Sequence, residues 1–328
     1  MRPRVYVSRK IPDQAMAILR QVTDVTSWDR ENLVVPRDVL LRAVAGVDGI
    51  LSLLTDRIDA ELLDAAPRLR VVSNFAVGFD NIDVPAATKR GIVVTNTPEV
   101  LTETVADFAL CLILAAARRL VEADNYARAG KWKTWEPMLL AGQDIYRATL
   151  GLVGLGRIGS AVARRAKGFE MRVLYYDVVR REDLERSLGI EFCAFEEVLR
   201  TADVISVHVP LMESTRHLIG REQFQLMKKT AVFVNTSRGP IVDQKALTEA
   251  LQNRQIFAAG IDVFEQEPVP PSDPLLTLDN VVVAPHIASA SVPTRIRMAT
   301  LAAENLVAVL QGKTPPNPVN PEVLKGKA

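Results

Sequence analysis

The sequence predicts an α/β protein made of two doubly wound domains, each built on a parallel β-sheet. The first observation is the length, because 328 residues correspond to about two domains of ordinary size. The second is that short β-branched runs alternate with amphipathic stretches along the chain, as in repeated βαβ units. The third is a glycine-rich turn at residues 154–159, which joins a predicted strand to a predicted helix.

The first hundred residues contain five predicted strands with helices between them. The strands are predicted at 4–7, 22–28, 49–53, 71–74 and 92–95. The helices between them include 37–45 and 84–90. This block contains no glycine-rich phosphate loop.

A long apolar run at 104–120 predicts a buried helix that connects this block to a second one. A further amphipathic helix is predicted at 294–310, before a tail rich in proline and asparagine. Residues 131–146, with Trp132 and Trp135, follow no regular period, and we expect an arm that covers a partner subunit. The strands of the second block are predicted at 149–153, 172–176, 192–194, 204–208, 231–235, 258–263 and 281–284.

Composition and charge exclude several classes of protein. Hydrophobic residues make up 48% and charged residues 24% of the chain, so a core can form and wholesale disorder is excluded. A formal net charge of +1 argues against nucleic acid or an anionic membrane as a partner. The two cysteines, Cys111 and Cys193, are too few for a disulfide framework or a cysteine-ligated zinc site. No leader follows Met1 and no apolar run could span a bilayer, so we expect a cytoplasmic protein.

The glycine-rich turn carries the cofactor prediction. It comprises Gly154, Gly156 and Gly159, with Arg157 and Ile158 between the last two. The first two glycines permit a tight turn and close approach to a pyrophosphate, and the third permits close strand–helix packing, at a helix N-terminus with unpaired N–H groups. The alternative is an incidental glycine-rich turn. The strand before it, the helix after it and an acidic residue after the next strand favour a nicotinamide dinucleotide.

The acidic residue after that next strand is Asp177. A carboxylate there accepts the ribose hydroxyls of NAD and repels the 2′-phosphate of NADP. Arg180 and Arg181 follow closely and could neutralise such a phosphate; alternatively they only cover the next helix. We therefore expect NAD(H) to be preferred, with NADP(H) possible.

Polar residues at other strand ends are candidates for catalysis, because ligands of open α/β sheets bind at the carboxyl ends of the strands. His286 is a candidate acid–base group, and Arg238 could clamp a carboxylate and polarise a carbonyl. A carboxylate behind the histidine would fix its tautomer and favour its charged form. The pattern leaves open whether Glu265 or Glu267 is that carboxylate.

Three further residues have less definite roles. His208 is expected to line the cofactor crevice through its backbone. Asp262 could face the nicotinamide or cap the end of its strand. His217 is expected on a surface helix.

Together with these residues, whole motifs resemble the D-2-hydroxyacid dehydrogenase family over nearly the full chain, and within it the glyoxylate (hydroxypyruvate) reductases. The motifs are NFAVGFDNID (74–83), GLVGLGRIG (151–159), HVPL (208–211), NTSRG (235–239), DVFEQEP (262–268) and PHI (285–287).

The resemblance implies a catalytic triad of Arg238, Glu267 and His286. It implies that the backbone N–H groups of Val77 and Gly78 hold the substrate carboxylate, and Leu53 is expected in the pocket wall. The cofactor-binding residues that we expect are Gly154, Gly156, Arg157, Ile158, Gly159, Asp177, His208, Pro210, Thr236, Ser237, Arg238, Asp262 and His286.

The resemblance also implies a domain organisation and a homodimer. A Rossmann NAD-binding domain (100–287) would be inserted in a flavodoxin-like substrate-binding domain (1–99 plus 288–328). Where similar NADPH-using reductases have Ser-Arg-Thr, this chain has Asp177-Val178-Val179, which favours NAD(H). No basic residue occurs at 51–54, where family members acting on 3-phosphoglycerate usually have arginine, so the substrate should be unphosphorylated.

The predicted activity is NAD(P)H-dependent reduction of a small 2-keto acid, glyoxylate or hydroxypyruvate, to the D-2-hydroxy acid. One alternative is a related dehydrogenase of another small acid, such as 2-ketogluconate, phosphite or formate. A second alternative is an NAD(H)-sensing binding protein, like the corepressors that share this fold. No metal, nucleic acid or membrane is expected to take part.

Overall fold

Two parallel β-sheets organise the chain, one in each of two units. The computed structural model describes residues 2–325. The split unit comprises residues 2–101 and 290–325, and the continuous unit comprises Thr102–Ser289. Each unit is described by itself below.

The strands, in chain order, are β1 (Arg4–Val7), β2 (Asp24–Ser27), β3 (Gly49–Ser52), β4 (Val71–Asn74), β5 (Val93–Thr95), β6 (Thr149–Val153), β7 (Arg172–Tyr176), β8 (Glu191–Phe192), β9 (Val204–Val207), β10 (Val232–Asn235), β11 (Ala258–Ile261) and β12 (Val281–Val283). The α-helices are α1 (Asp13–Val22), α2 (Arg37–Val44), α3 (Ala60–Asp64), α4 (Val84–Lys89), α5 (Thr102–Ala117), α6 (Leu120–Arg128), α7 (Arg157–Ala166), α8 (Glu182–Leu188), α9 (Phe195–Thr201), α10 (Arg221–Leu226), α11 (Gln244–Gln252) and α12 (Val292–Leu310).

The split unit has a five-stranded sheet in the order β2-β1-β3-β4-β5, and every pairing is parallel. This is the flavodoxin-like doubly wound order. Helix α12 returns from the end of the chain and packs on α1, β3 and β4. The Ser73 hydroxyl donates a 2.7 Å hydrogen bond to the Ala302 carbonyl and ties β4 to this helix.

The continuous unit has a seven-stranded parallel sheet in the order β12-β11-β10-β9-β6-β7-β8. The order in which strands are added to the sheet reverses between β6 and β9. This position is the topological switch point of a Rossmann fold. Leu150 and Leu152 pack in a layer with α5 and α7. Val207 and Phe233 pack in a second layer with α10 and α11. Both faces are therefore buried, which explains why these strands are almost continuously apolar. The predicted α/β class with two doubly wound sheets is confirmed.

Several element boundaries differ from the prediction by one to three residues, and the largest change of structure is in the connecting helix. The helix expected at 104–120 ends at Ala117, and α6 begins at Leu120. Between them Arg119 adopts a left-handed conformation with φ of 50°, and its guanidinium binds Glu122 through two 2.8 Å hydrogen bonds. A non-glycine residue in this conformation leaves no composition signal, so the apolar run alone could not locate the break.

Side-chain caps start several helices. Asp59, Asp83 and Asp243 accept hydrogen bonds from backbone N–H groups in the first turns of α3, α4 and α11. Each cap satisfies a donor that the helix leaves unpaired. Within residues 2–325 no helix is long and apolar enough to cross a membrane.

Candidate active site

Three neighbouring strands of the continuous unit, β10, β11 and β12, end at one edge of its sheet. Arg238 follows β10, Asp262 and Glu267 follow β11, and His286 follows β12. Parallel strands present their carboxyl ends at the same edge, so these side chains gather there.

His286 and Glu267 form a hydrogen-bonded pair. The His286 Nδ1 lies 2.6 Å from one Glu267 carboxylate oxygen, and the Phe264 N–H donates a 3.0 Å bond to the other. The two side chains are 25% and 30% exposed. Burial raises the pKa of the Glu267 carboxyl, but the hydrogen bond to His286, the charge of His286, the Phe264 N–H and the charge of Arg238 together hold it below its ordinary value. Because the carboxylate is ionised, the proton belongs on Nδ1, and Nε2 is left to act on a ligand.

Arg238 is oriented by its own strand end. Its Nη1 donates a 2.9 Å hydrogen bond to the Ser237 carbonyl, and its own carbonyl accepts a 2.9 Å bond from the Asn235 side chain. A Cβ on Gly239 would overlap the carbonyl of Phe264. Glycine therefore allows this backbone to pack against the loop that leads to Glu267, and the charge of Arg238 acts on that carboxylate.

Asp262 is fully buried behind this group. Its two carboxylate oxygens accept hydrogen bonds from the N–H groups of Ile287 (2.7 Å) and Ala288 (2.9 Å). Burial raises the pKa of the Asp262 carboxyl, and the two N–H donors and the charge of His286 offset only part of that rise. The carboxyl thus caps the turn that carries His286, which matches one of its two expected roles.

The structure separates the two glutamates. Glu265 accepts a 2.6 Å hydrogen bond from Nε2 of His217, at an exposed position, whereas Glu267 binds His286. The prediction that His217 lies on a surface helix is wrong. It lies in a turn with φ of 51°, a conformation that the residue pattern does not signal.

The glycine-rich turn lies between β6 and α7 of the same unit. Gly154 has φ of +97°, and a Cβ there would lie 2.9 Å from the backbone of His208 and Val209. A Cβ on Gly159 would overlap the Gly154 carbonyl oxygen. Gly156 is different, because a Cβ there would meet nothing within 4 Å, and no side chain caps α7 at this residue. The turn is therefore tightly packed from behind and open in front, at the N-terminus of α7, where a helix favours an anion.

Arg157 and Ile158 begin α7 directly after this turn. Ile158 packs against the core of the unit. A phosphate at the start of α7 would therefore meet Arg157 as the cation of the first turn.

Asp177 lies beside the turn, because its carboxylate accepts a 2.7 Å hydrogen bond from the Leu155 N–H. The two arginines that follow are already paired. Arg180 binds Glu185 at 2.8 and 2.9 Å, and Arg181 binds Asp183 at 3.0 and 3.1 Å. Hydrogen bonds from Arg180 and then from the Tyr175 hydroxyl lower the pKa of Glu185 to about 2.

Four more predicted cofactor residues lie at the ends of β9 and β10. Burial lowers the pKa of His208 to about 4, so its ring is neutral near pH 7, and Nε2 lies 2.9 Å from the Ser206 hydroxyl. The Pro210 carbonyl accepts a 2.7 Å bond from Thr215, and the Ser237 hydroxyl donates to the Val209 carbonyl. The Thr236 hydroxyl is buried and has no hydrogen-bond partner among residues 2–325. The open front of the glycine turn and this unpaired hydroxyl both fit a dinucleotide.

The predicted substrate residues of the split unit lie in two loops at the carboxyl ends of β3 and β4. Leu53 is partly buried, and its N–H donates a 2.8 Å hydrogen bond to Asp56. Val77 and Gly78 are also partly buried. Within the described chain, neither of their N–H groups donates to another residue.

Sequence reasoning missed two polar residues that contact predicted site regions, one in each unit. Asn96 follows β5 and donates a 2.8 Å hydrogen bond to the Val77 carbonyl. The strand-end rule applied to the split unit would have found it. Glu185 was missed because its role is to pair with Arg180. Residue spacing does not show which arginine a glutamate will bind. In residues 2–325 no group of three or more His, Cys, Asp or Glu side chains could hold a metal ion.

The chain is similar to known proteins over nearly its whole length. Residues 110–288 match the family model described as D-isomer specific 2-hydroxyacid dehydrogenase, NAD binding domain. The glyoxylate reductase of Korarchaeum cryptofilum is 58% identical over 326 residues, covering 99% of this chain and 98% of that protein.

Among solved structures, a Thermus thermophilus protein is 48% identical with a TM-score of 0.91, over 96% of this chain and 99% of that one. The NADPH-dependent glyoxylate/hydroxypyruvate reductase of Sinorhizobium meliloti, in complex with NADP and malonate, is 37% identical with a TM-score of 0.84, over 97% of each chain.

Proposed function

The chain belongs to the D-isomer specific 2-hydroxyacid dehydrogenase family, and from this premise we propose that it reduces glyoxylate to glycolate with a reduced nicotinamide dinucleotide. The observation that carries the proposal is the ionised Glu267 on Nδ1 of His286, with Arg238 close enough to act on the same carboxylate. A proton donor and a guanidinium at one sheet edge are what reduction of a 2-keto acid needs. The neighbouring glycine turn supports a dinucleotide beside them.

In the proposed mechanism, Arg238 binds the substrate and stabilises negative charge on the carbonyl oxygen as it is reduced. His286 gives the proton from Nε2 to that oxygen. Glu267 holds Nδ1–H, so the imidazole keeps its orientation through the proton transfer. When bound, the reduced nicotinamide supplies the hydride for the carbonyl carbon.

We propose that the cofactor is held by the residues around the open turn. The N–H groups at the start of α7, with Arg157 and Ile158, would bind the pyrophosphate. Asp177 would accept the ribose hydroxyls. Further contacts would come from the ends of the neighbouring strands, at His208, Pro210, Thr236, Ser237, Arg238, Asp262 and His286.

The preference for NADH over NADPH is part of the proposal. It is supported by Asp177 beside the turn, and by the pairing of Arg180 with Glu185, which occupies a cation that could otherwise bind a 2′-phosphate. We expect kcat/KM to favour NADH at least about tenfold. Glu185→Gln should narrow this gap by releasing Arg180, and fluorescence titration should show tighter NADPH binding with an unchanged Kd for NADH. Wild-type preference for NADPH would contradict the proposal.

We propose that the substrate is small and unphosphorylated. The N–H groups of Val77 and Gly78 would hold its carboxylate, with Leu53 in the pocket wall. No basic residue occurs at 51–54 to bind a phosphate. Hydroxypyruvate would be the second substrate.

A substrate panel tests the function. Purified protein should oxidise NADH with glyoxylate and hydroxypyruvate, and much more slowly with pyruvate or 2-ketogluconate. Turnover of phosphite or formate with NAD would identify the related dehydrogenase instead. NADH binding without turnover of any acid would favour a cofactor-sensing protein.

Three broader proposals accompany this function. The continuous unit would be the cofactor domain and the split unit the substrate domain, because the glycine turn lies in the first and the free Val77 and Gly78 N–H groups lie in the second. The protein would act as a homodimer. It would work in the cytoplasm.

A further inference from the structure

Three successive carbonyl groups after β4 are each held by a donor within the split unit. The Thr97 N–H donates 2.9 Å to the Ala76 carbonyl. The Asn96 side-chain amide donates 2.8 Å to the Val77 carbonyl, and the Asn74 amide donates 2.9 Å to the Gly78 carbonyl.

Because the peptide group is planar, these hydrogen bonds to carbonyl oxygens also fix the direction of the N–H groups that follow. A trans peptide is planar, with its C=O and the following N–H pointing in opposite directions. Fixing the Ala76 carbonyl therefore aims the Val77 N–H away from Thr97. Fixing the Val77 carbonyl aims the Gly78 N–H away from Asn96. Adjacent N–H groups held in this way form a site suited to an anion.

Asn96 is itself rigidly placed. Its N–H donates 3.3 Å to the Asn317 carbonyl, and its carbonyl accepts a 3.0 Å bond from the Asn305 side chain on α12. Asn305 is fully buried and also accepts a 3.0 Å bond from the Asn317 N–H. Hydrogen bonds at its N–H and at its carbonyl thus fix the backbone of Asn96. This places its side-chain amide against the Val77 carbonyl.

We propose that Asn96 is a positioning residue for substrate binding, because its amide fixes the peptide whose Gly78 N–H receives the substrate carboxylate. The inference rests on the proposed function for the identity of the ligand, a small 2-keto acid. Asn96 need not touch the substrate, because its effect passes through one peptide plane.

The test is Asn96→Asp, which keeps the shape but replaces the donor with an oxygen that repels the Val77 carbonyl. The KM for glyoxylate should rise roughly 10- to 100-fold, the factor for one lost hydrogen bond to a charged group. The kcat should change much less, because the lost bond serves ground state and transition state alike. The Kd for NADH should not change. Asn96→Ala, which removes the donor without adding repulsion, should give a smaller rise in KM.

Asn320→Asp is the matched control. Asn320 is a buried asparagine of the same unit, and its amide donates 2.9 Å bonds to the Ile92 carbonyl and the Thr88 hydroxyl rather than to the loop after β4. It should lower the melting temperature without raising the KM. Equal KM values for the Asn96 and Asn320 variants would overturn the proposal.

A binding measurement separates this inference from the proposed function. Calorimetric titration of the NADH-loaded protein with oxalate, a small dicarboxylate, does not depend on turnover. Weaker oxalate binding by Asn96→Asp, with no glyoxylate turnover by wild type, would keep the positioning role and reject the activity. Turnover by wild type with unchanged oxalate affinity in Asn96→Asp would reject the positioning role and keep the activity.

Discussion

At the scale of single residues, the 2.6 Å contact between Glu267 and His286 defines the proposed proton donor. The charge of His286 helps to lower the pKa of Glu267. The ionised carboxylate accepts a hydrogen bond from Nδ1, which fixes the orientation of the imidazole and leaves Nε2 for the ligand. In the proposed mechanism, Nε2 gives its proton to the carbonyl oxygen.

Glu267→Gln should therefore lower kcat for glyoxylate reduction by roughly 10- to 100-fold, because a neutral amide accepts a weaker hydrogen bond from Nδ1 and no longer fixes one orientation of the imidazole. The measurement is kcat and KM for glyoxylate at one fixed pH. Glu265→Gln is the control, because Glu265 binds His217 instead, and its kcat should match wild type. Equal kcat values for Glu267→Gln and wild type would show that Glu267 does not orient the donor.

Residue spacing alone could not choose between these two glutamates. They are two positions apart on an irregular segment, where neither helical nor strand periodicity assigns a direction to a side chain. The family resemblance pointed to Glu267, and the structure places it on His286. No residue pattern indicated a role for Asn96, because its side chain binds a backbone carbonyl and a backbone carbonyl is present at every residue.

At the scale of elements, the residues at strand ends include the proposed catalytic groups and also a histidine that makes folding stability depend on pH. His208 follows β9, and burial lowers its pKa from 6.5 to about 4. Between these values the unfolded chain binds more protons than the folded one, so folding stability falls as the pH falls. The contribution is fully present above about pH 6.5 and is lost progressively toward about pH 4, by roughly 2–3 kcal/mol.

His208→Gln should flatten this part of the stability profile. Urea unfolding of the cofactor-free protein at several pH values between about 7 and 4 should give a smaller loss of unfolding free energy in the variant than in wild type. Asn280→Ala serves as control, because it removes two 3.2 Å side-chain hydrogen bonds without removing a titrating group, and it should keep the wild-type slope. A wild-type slope in His208→Gln would show that the buried ring does not drive the loss.

The elements that could be predicted are those with a strong pattern. Strands such as β6 and β10 are buried on both faces and read as apolar runs between polar ends. The glycine turn was recognisable because strand, turn and helix occur in order. The turn at His217 and the helix break at Arg119 could not be recognised in the sequence. At both positions a non-glycine residue adopts a left-handed conformation, and no residue pattern signals it.

At the scale of the whole molecule, the arm at residues 131–146 contains no helix or strand and exposes large apolar side chains. Trp132 is 64%, Trp135 78% and Met138 76% exposed. Clustered apolar surface of this kind is typical of an interface, which supports the proposed homodimer.

Trp135→Glu should weaken that dimer. Sedimentation velocity should give a dimer for wild type and a concentration-dependent shift to monomer for the variant, because a charge would be buried against the partner. Val292→Glu is the control, since Val292 is 73% exposed on the split unit, and it should remain dimeric. A monomeric wild type, or an unchanged Trp135→Glu, would remove the arm from the interface.

The most direct test of the central claim is the rate of NADH oxidation with glyoxylate by wild type and His286→Ala, measured side by side. We predict steady turnover by wild type and a loss of about 10²–10⁴ in kcat for His286→Ala, with a much smaller change in the Kd for NADH. Absence of turnover by wild type, or a His286→Ala rate within a few-fold of it, would contradict the claim that this sheet edge is the active site of a glyoxylate reductase.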